Sequence, residues 1–191
     1  QWVESTKEAR ADELCELLRD FHPKKPRTFP RYDSTAGKWR EINEPALWPD
    51  QYVHHMIVQV LAPVLMRGMD FYCCGSIPGR GPHRARKAIE KWLEKDPKGT
   101  KYAAELDIKK FYPSLSPREV MRFLRRKIKD EAFLGLIWRI IKDGIKIGFY
   151  ISQWLANAVL EPLDHYIREK LGDGVRHYVR SVSYTHLRAH E

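Results

Sequence analysis

One carboxylate, Asp107, stands in the part of the chain whose residue types best suit metal-dependent chemistry. Apolar and polar side chains alternate from Tyr102 to Ile108, which is the period-2 pattern of a half-buried strand. Asp107 therefore lies near the end of a predicted strand, shortly before the aromatic pair Phe111 and Tyr112. A buried carboxylate is costly unless it is neutralised, and a divalent metal ion is a strong partner in phosphoryl chemistry. A turn or a salt bridge at the strand end is the alternative, and this stretch alone leaves both open.

The elements around Asp107 are predicted to be mostly helical. Helices are expected over residues 4–21, 43–66 and 84–95, then in two amphipathic stretches after Ser116 that end at Asp143-Gly144, and from Ser152 to Leu171. The turn-forming residues 33–37 predict a basic hairpin, on whose second strand Lys38 and Arg40 point the same way. A further strand is expected from Gly174 to Arg180.

The composition favours a globular protein with a polyanionic partner. The chain has 191 residues, of which 43% are hydrophobic and 12% aromatic, so a disordered tail is excluded. The net charge is +9, and the positive residues cluster in the hairpin, in the helix after residue 83 and in the helix after Ser116. Such clusters favour nucleic acid as the partner over a merely solvated face.

The cysteines and the hydropathy pattern indicate in which cellular compartment the protein is expected. The three cysteines, Cys15, Cys73 and Cys74, are odd in number and lack metal-ligand spacing. We therefore expect a reduced, cytoplasmic protein without a zinc site. No apolar run is long enough to span a bilayer, so no membrane partner is expected. His54 and His55 are interpreted as core or surface residues, because no partner stands at metal spacing.

Four stretches resemble motifs of the reverse transcriptases, in the order in which that family carries them. The sequence LDIKKFYPSL at 106–115 resembles the first catalytic motif, and IGFYISQWLAN at 147–157 resembles the loop-helix motif that follows it. The sequence GKWREI at 37–42 resembles the fingers hairpin, and SIPGRGPH at 76–83 resembles the next fingers motif. The resemblance implies an α+β right-hand polymerase with a small antiparallel palm sheet. It implies an N-terminal helix and fingers over residues 1–100, a partial palm over 101–180, and no thumb.

The resemblance also implies a role for individual residues. Two Mg²⁺ ions are expected at Asp107, with the backbone carbonyl of Ile108 as a further ligand. Contacts to the incoming deoxynucleotide are implied for Lys38, Arg40, Phe111, Tyr112, Gly148 and Gln153. Within that set, the bulky ring of Tyr112 screens the 2′ side of the sugar. Contacts to an RNA template and a DNA or RNA primer are implied for Arg80, His83 and Arg84.

Two dipeptides point to a subgroup of the family. Ile147-Gly148 and Ser152-Gln153 stand where most reverse transcriptases carry Gln-Gly and Ser-Pro. This form resembles the enzymes of diversity-generating retroelements, and also some retron-like or group II intron-like bacterial enzymes. The subgroup therefore stays open, as do the RNA that is copied, the priming mode, the need for an accessory protein and the oligomeric state.

The end of the chain departs from the family pattern. Reverse transcriptases continue from the position of Arg180 into Tyr-x-Asp-Asp, whose acidic pair completes the metal site, whereas residues 181–191 here are SVSYTHLRAHE. This string matches a translated transposon-based sequencing adapter, and we hypothesise that it is not native protein. We therefore expect RNA-directed DNA polymerase activity of a parent protein and an inactive fragment in this chain.

Two alternatives from other classes remain at this point. The first is a polymerase-dead module that binds RNA or another nucleic acid, which the basic clusters and the missing acidic pair favour. The second is a DNA-binding or structural protein with a degenerate polymerase fold. Retention of Asp107, Tyr112 and Gly148 argues against the second, because a degenerate site has no physical reason to keep them.

Overall fold

The computed structural model describes residues 7–34, 37–172 and 174–181. Its elements are, in chain order, α1 (Lys7–Arg19), β1 (Arg27–Asp33), β2 (Lys38–Glu44), a π-helical turn (Leu47–Gln51), α2 (Tyr52–Met66), α3 (Pro82–Lys95), α4 (Phe111–Ser114), α5 (Pro117–Lys127), α6 (Glu131–Ile141), α7 (Tyr150–Val159) and α8 (Glu161–Lys170). The helix-rich α+β class with a small antiparallel sheet is thereby confirmed. No helix in these ranges is long and apolar enough to cross a membrane.

The basic hairpin forms where the turn-forming residues predict it. Strands β1 and β2 are antiparallel, and their register sets Asp33 opposite Lys38. Arg40 donates from Nε to Oδ2 of Asp33 at 2.7 Å, and the two side chains are only 15% and 16% exposed. Because side chains alternate along a strand, Lys38, Arg40 and the buried Ile42 share one face. That face is the one directed towards the helices.

The hydrophobic core lies between α2 and α7. Apolar side chains recur every fourth residue along α2 and form a fully buried stripe: Val53, Ile57, Leu61 and Leu65. Helix α7 packs Ile151 and Leu155 against this stripe. The amphipathic helices α5 and α6 cover the core with their apolar faces, contributing Val120, Leu124, Leu134, Ile137 and Ile141. The core thus fixes the loop before α7 relative to α2.

A buried ion pair attaches the last described segment to the helices. Arg180 donates through Nε and Nη2 to the two carboxylate oxygens of Asp164, each at 2.7 Å. Its Nη1 donates to Oδ1 of Asn157 at 3.1 Å, and the hydroxyl of Tyr178 donates to Oδ1 of Asp164 at 2.8 Å. The Asp164 side chain is 1% exposed and that of Arg180 is 8% exposed. Hydrogen bonding to Asp164 raises the pKa of Arg180 although burial opposes the charge.

The backbone around Arg180 is held as well. Its N–H donates to the carbonyl of Tyr72 at 3.1 Å, and its carbonyl accepts from the N–H of Cys74 at 2.6 Å. These bonds form an isolated parallel bridge between Cys73 and Arg180. The strand predicted from Gly174 to Arg180 is thereby reduced to its last residue.

The predicted strand from Tyr102 to Ile108 is wrong. Every residue from 101 to 110 is exposed, Leu106 by as much as 89%. A period-2 pattern specifies which side chains would share a face, but a strand also needs a neighbour for its backbone hydrogen bonds. Residues 102–109 pair with no strand in the part of the chain that the structure describes. The observed sheet is therefore the hairpin, and no palm sheet forms within the described part of residues 101–180.

The predicted helices form, with one of them divided and two boundaries corrected. The helix predicted from Ser152 to Leu171 is two helices, because α7 ends at Val159 and a proline lies in the first turn of α8. Helix α2 begins at Tyr52 rather than near Asn43, because Asn43 belongs to strand β2 and prolines follow. Helix α7 begins at Tyr150, so Ser152 lies inside the helix and does not cap it. Residues 181–191 had been assigned to an adapter-encoded tail, and beyond Ser181 they lie outside the described residues.

Candidate functional site

Two stretches separated by more than 100 residues meet at the end of the hairpin. The N–H of Asn43 on β2 donates to the carbonyl of Ile147 at 2.8 Å. The next residue, Gly148, has φ = +106°, a backbone conformation that side chains with a Cβ rarely adopt. A Cβ added there would collide with the carbonyl oxygen of Asn43 and lie 3.1 Å from Cγ2 of Ile42. Glycine is therefore required here for both the backbone conformation and the close approach of the hairpin.

Substituting Gly148 with alanine is expected to lower the free energy of unfolding by about 2–3 kcal/mol, from the positive φ and the collision together. Gly144 is a matched control, because its φ is +112° but nothing lies within 4 Å of an added Cβ. Gly144→Ala carries only the backbone cost, about 1–2 kcal/mol. Urea unfolding followed by circular dichroism measures both. Equal losses in the two variants would contradict the close approach at residue 148.

Tyr112 and Phe111 are buried in the hydrophobic core, 8% and 6% exposed. Helix α4, a single turn, presents them after Lys110, which adopts the left-handed conformation at φ = 52°. Burial raises the pKa of Tyr112 to about 12, while the nearby positive charge of Arg40 acts in the opposite direction. The charge of Arg40, on the hairpin, therefore acts on the Tyr112 phenol, and burial is the larger effect.

The other residues predicted to contact the nucleotide or the metal ions are not joined to Tyr112 and Arg40 in the described ranges. Asp107 and Ile108 lie in the exposed segment 101–110, and Lys38 is exposed near the tip of the hairpin. Gln153 is half-buried on α7. No hydrogen bond or ion pair joins any of these four side chains to Tyr112 or Arg40 within the described ranges. The structure thus brings together Arg40, Tyr112 and the Gly148 loop.

The described residues do not fit a two-metal site. No group of three or more His, Cys, Asp or Glu side chains within ranges 7–34, 37–172 and 174–181 is arranged to hold a metal ion. Asp107 is one exposed carboxylate, which can form part of a Mg²⁺ site but does not by itself hold the two expected ions. The other ligands of a two-metal site are not assembled within the described ranges.

A cavity of about 230 Å³ opens between the hairpin, α2 and the Gly148 loop. Its lining includes Phe29, Ile42, His54, Gly148 and Tyr150. His54 is 1% exposed, and neither of its ring nitrogens has a hydrogen-bond partner among the described residues. Of the two alternatives left open, core or surface, His54 proves to be a core residue, and its ring also borders a cavity that was not predicted. An imidazole without partners in such a position is held in its neutral form.

Stability should fall on acidification because His54 resists protonation in the folded state. Burial, assisted by the charge of His55, lowers the pKa of His54 from 6.5 to about 4. Between these pH values the unfolded chain binds a proton that the folded chain does not. The free energy of unfolding is therefore highest above pH 6.5 and decreases as the pH falls towards 4. The shift corresponds to a loss of about 3 kcal/mol by pH 4.

The measurement is the free energy of unfolding at pH 7, 5.5 and 4 for the wild type and His54→Gln. The difference between the two pH profiles isolates His54 from other titrating groups. His55→Gln is the matched variant, because His55 is exposed beside it and stacks on Tyr150 with ring centroids 4.3 Å apart. It removes the smaller, electrostatic cause of the shift and keeps the larger one, burial, so its profile should stay close to that of the wild type. Parallel profiles for wild type and His54→Gln would show that His54 does not titrate as its burial demands.

The predicted template-primer residues lie together around the start of α3. Arg80 donates from Nη1 to the carbonyl of Asp70 at 3.1 Å, and His83 is exposed. The guanidinium of Arg84 lies 3.8 Å from the ring centroid of Phe71. Neither arginine has an ion pair with a carboxylate among the described residues, so both charges remain available to a polyanion.

The basic face of α5 is more neutralised than the sequence suggested. Three of its cations are paired with glutamates: Arg122 with Glu119, Arg125 with Glu131, and Lys127 with Glu161. Two of the three glutamates, Glu131 and Glu161, belong to other helices, so these pairings are not apparent from the sequence of α5. The start of α3 is therefore the stronger candidate for contact with nucleic acid.

Comparison with known proteins gives distant relatives and no family. No family model matches the chain. The chain is 25% identical over 174 residues to Protein YkfC of Escherichia coli (strain K12). That alignment covers 83% of this chain and 45% of Protein YkfC. The chain is 24% identical over 115 residues to the uncharacterized mitochondrial protein ymf11 of Marchantia polymorpha, covering 59% of this chain and 16% of that protein. The chain thus spans less than half the length of either relative.

Proposed function

We propose that this chain is part of an RNA-directed DNA polymerase. The observation that carries the proposal is the convergence of three stretches that are far apart in sequence: β2, the turn bearing Tyr112, and the loop bearing Gly148. Their sequences resemble three motifs of reverse transcriptases, and the chain folds so that Arg40 lies near Tyr112 while the hairpin backbone bonds to Ile147. Such a meeting of motifs is what a nucleotide site requires.

Each residue has a task under this proposal. Lys38 neutralises the triphosphate, as cations do in phosphoryl transfer. Arg40 joins it by exchanging the carboxylate of Asp33 for a phosphate oxygen. The ring of Tyr112 is fixed by packing at 8% exposure and bars a 2′-hydroxyl from the sugar site. Gly148 and Gln153 lie beneath the nascent base pair, where the absence of a Cβ at position 148 lets strand β2 pack against the loop. Asp107, with the carbonyl of Ile108, contributes to binding Mg²⁺ in a longer protein.

Primer extension tests the proposal. The protein is produced with its coding frame continued past Arg180, and RNA template with annealed primer is offered deoxynucleotides or ribonucleotides. We expect Mg²⁺-dependent extension with deoxynucleotides, and none by residues 1–191 alone. If the longer protein binds RNA but does not extend the primer, the polymerase proposal fails.

A binding function without polymerisation is the second candidate. It is supported by Arg80 and Arg84 near the start of α3, since neither forms an ion pair with a carboxylate in the described ranges. The lack of a metal-holding group of side chains in those ranges also supports it. RNA binding by residues 1–191 together with inactivity of the longer protein would establish this alternative.

A further inference from the structure

Phe71 exposes an aromatic ring beside two cations. It lies in the connection between α2 and α3 and is 60% exposed. The guanidinium of Arg84 lies over the ring at 3.8 Å from its centroid, and that of Arg80 is 6.0 Å away. The edge of the ring contacts Tyr72, with centroids 5.0 Å apart and planes at 90°. One side of the ring is thus supported by protein while much of its surface faces solvent.

The neighbouring aromatic residue shows that exposure of Phe71 is not a general property of this loop. Tyr72 packs against Trp92 of α3 with centroids 4.9 Å apart, and the guanidinium of Arg168 lies 5.6 Å from its ring. The carboxylate of Asp70 is engaged by Arg168 at 2.9 Å, so it does not neutralise Arg80 or Arg84. The loop therefore packs one ring inwards and leaves the other on a positively charged surface.

We propose that Phe71 and Arg84 form a stacking platform for an unpaired base of single-stranded RNA. Aromatic rings held beside arginines are the means by which proteins bind single strands, since every base offers a π-face while the cations attract the backbone. Arg80, whose guanidinium lies 6.0 Å from the ring centroid, binds an adjacent phosphate. The choice of RNA rests on the proposed function, whereas the ring and its charges are features of the structure.

The platform favours single strands over duplexes. In an A-form helix the bases are stacked on one another and their faces are inaccessible, so only an unpaired base can cover Phe71. A duplex can still contact Arg80 and Arg84 through its phosphates. Loss of the ring should therefore weaken binding of single-stranded RNA much more than binding of a duplex.

Fluorescence anisotropy with residues 1–191 and a labelled single-stranded RNA tests the platform. Phe71→Ala is expected to weaken binding about tenfold, which is typical of one stacked base. Phe71→Trp should retain it. Tyr166→Ala is the matched control, because Tyr166 is 55% exposed on α8 and should be replaced without effect. Duplex RNA of the same length should bind Phe71→Ala and the wild type equally.

Salt dependence separates stacking from charge. Phe71→Ala should leave the slope of log K against log salt unchanged, whereas Arg84→Ala should reduce that slope by about one. The fluorescence of a 2-aminopurine placed in the strand should fall when the strand binds the wild type or Phe71→Trp. It should not fall when the strand binds Phe71→Ala.

Two results would overturn the proposal: an unchanged affinity of Phe71→Ala for single strands, or an equal loss for single strands and duplexes. Its failure is distinguishable from failure of the polymerase assignment, which primer extension measures. A longer protein without polymerase activity whose single-strand binding still depends on Phe71 would retain the platform and lose the enzyme.

Discussion

Asp164→Ala is expected to lower the free energy of unfolding by about 3–5 kcal/mol, the usual cost of removing one partner from a buried ion pair. The guanidinium of Arg180 would stay buried without its carboxylate, since it is only 8% exposed. Tyr178 would also lose the acceptor of its hydroxyl. The loss is comparable to the whole stability of many domains, so the segment that follows α8 would detach or the chain would unfold.

A variant that removes both charges keeps this prediction measurable even if Asp164→Ala does not fold. Asp164→Leu combined with Arg180→Met leaves no unpaired charge and should recover most of the stability. Glu90→Ala is the control, because Glu90 forms an exposed ion pair with Arg86 at 2.7 Å and its loss should produce no measurable change. Urea unfolding compares all variants. If Asp164→Ala behaves like Glu90→Ala, the buried pair does not stabilise the fold.

Local chemistry allowed the hairpin and most helices to be predicted. The turn-forming residues before Gly37, which has φ = +61°, terminate two strands whose pairing then follows from adjacency. Helices α5 and α6 follow from apolar residues at helical spacing, which is a property of each segment alone. These elements need no information from distant parts of the chain.

Elements that depend on distant partners were predicted less well. The alternation of apolar and polar residues around Leu106 is typical of a strand. A strand also needs a neighbouring strand to pair with, which no described residue supplies, and Leu106 is 89% exposed. Arg180 was assigned to a strand by its neighbours in sequence, whereas its structure is set by Asp164, 16 residues away. A carboxylate on a helix gives no local sign of which cation will reach it.

The candidate site also combines features that could be predicted from the sequence with features that could not. The resemblance implied a contact between Gly148 and the incoming nucleotide, and the structure adds that the group closest to this glycine is the carbonyl of Asn43. The nearness of Arg40 to Tyr112 joins residues 72 positions apart and could be expected only from the resemblance. The cavity beside His54 and the ring of Phe71 were not foreseen, because burial and exposure are set by tertiary packing.

Asp107→Asn, in the protein continued past Arg180, is expected to slow nucleotide addition by about a thousandfold or more. Under the proposed function Asp107 is a metal-binding carboxylate, and metal stabilisation of a transition state contributes several kcal/mol, with each 1.36 kcal/mol equal to a factor of ten. Asparagine keeps the shape of the side chain and removes its charge. The measurement is the single-turnover rate of extension on an RNA template.

Glu105→Gln is the matched control for this experiment, since Glu105 is a second exposed carboxylate two residues earlier in the same segment. It should extend the primer at the wild-type rate. Because both side chains are exposed, neither substitution should alter the free energy of unfolding or the affinity for RNA, which separates a chemical defect from a structural one. Equal losses in the two variants would indicate that the charge of the segment, and not Asp107, supports the reaction. Full activity of Asp107→Asn would remove this residue from the proposed site.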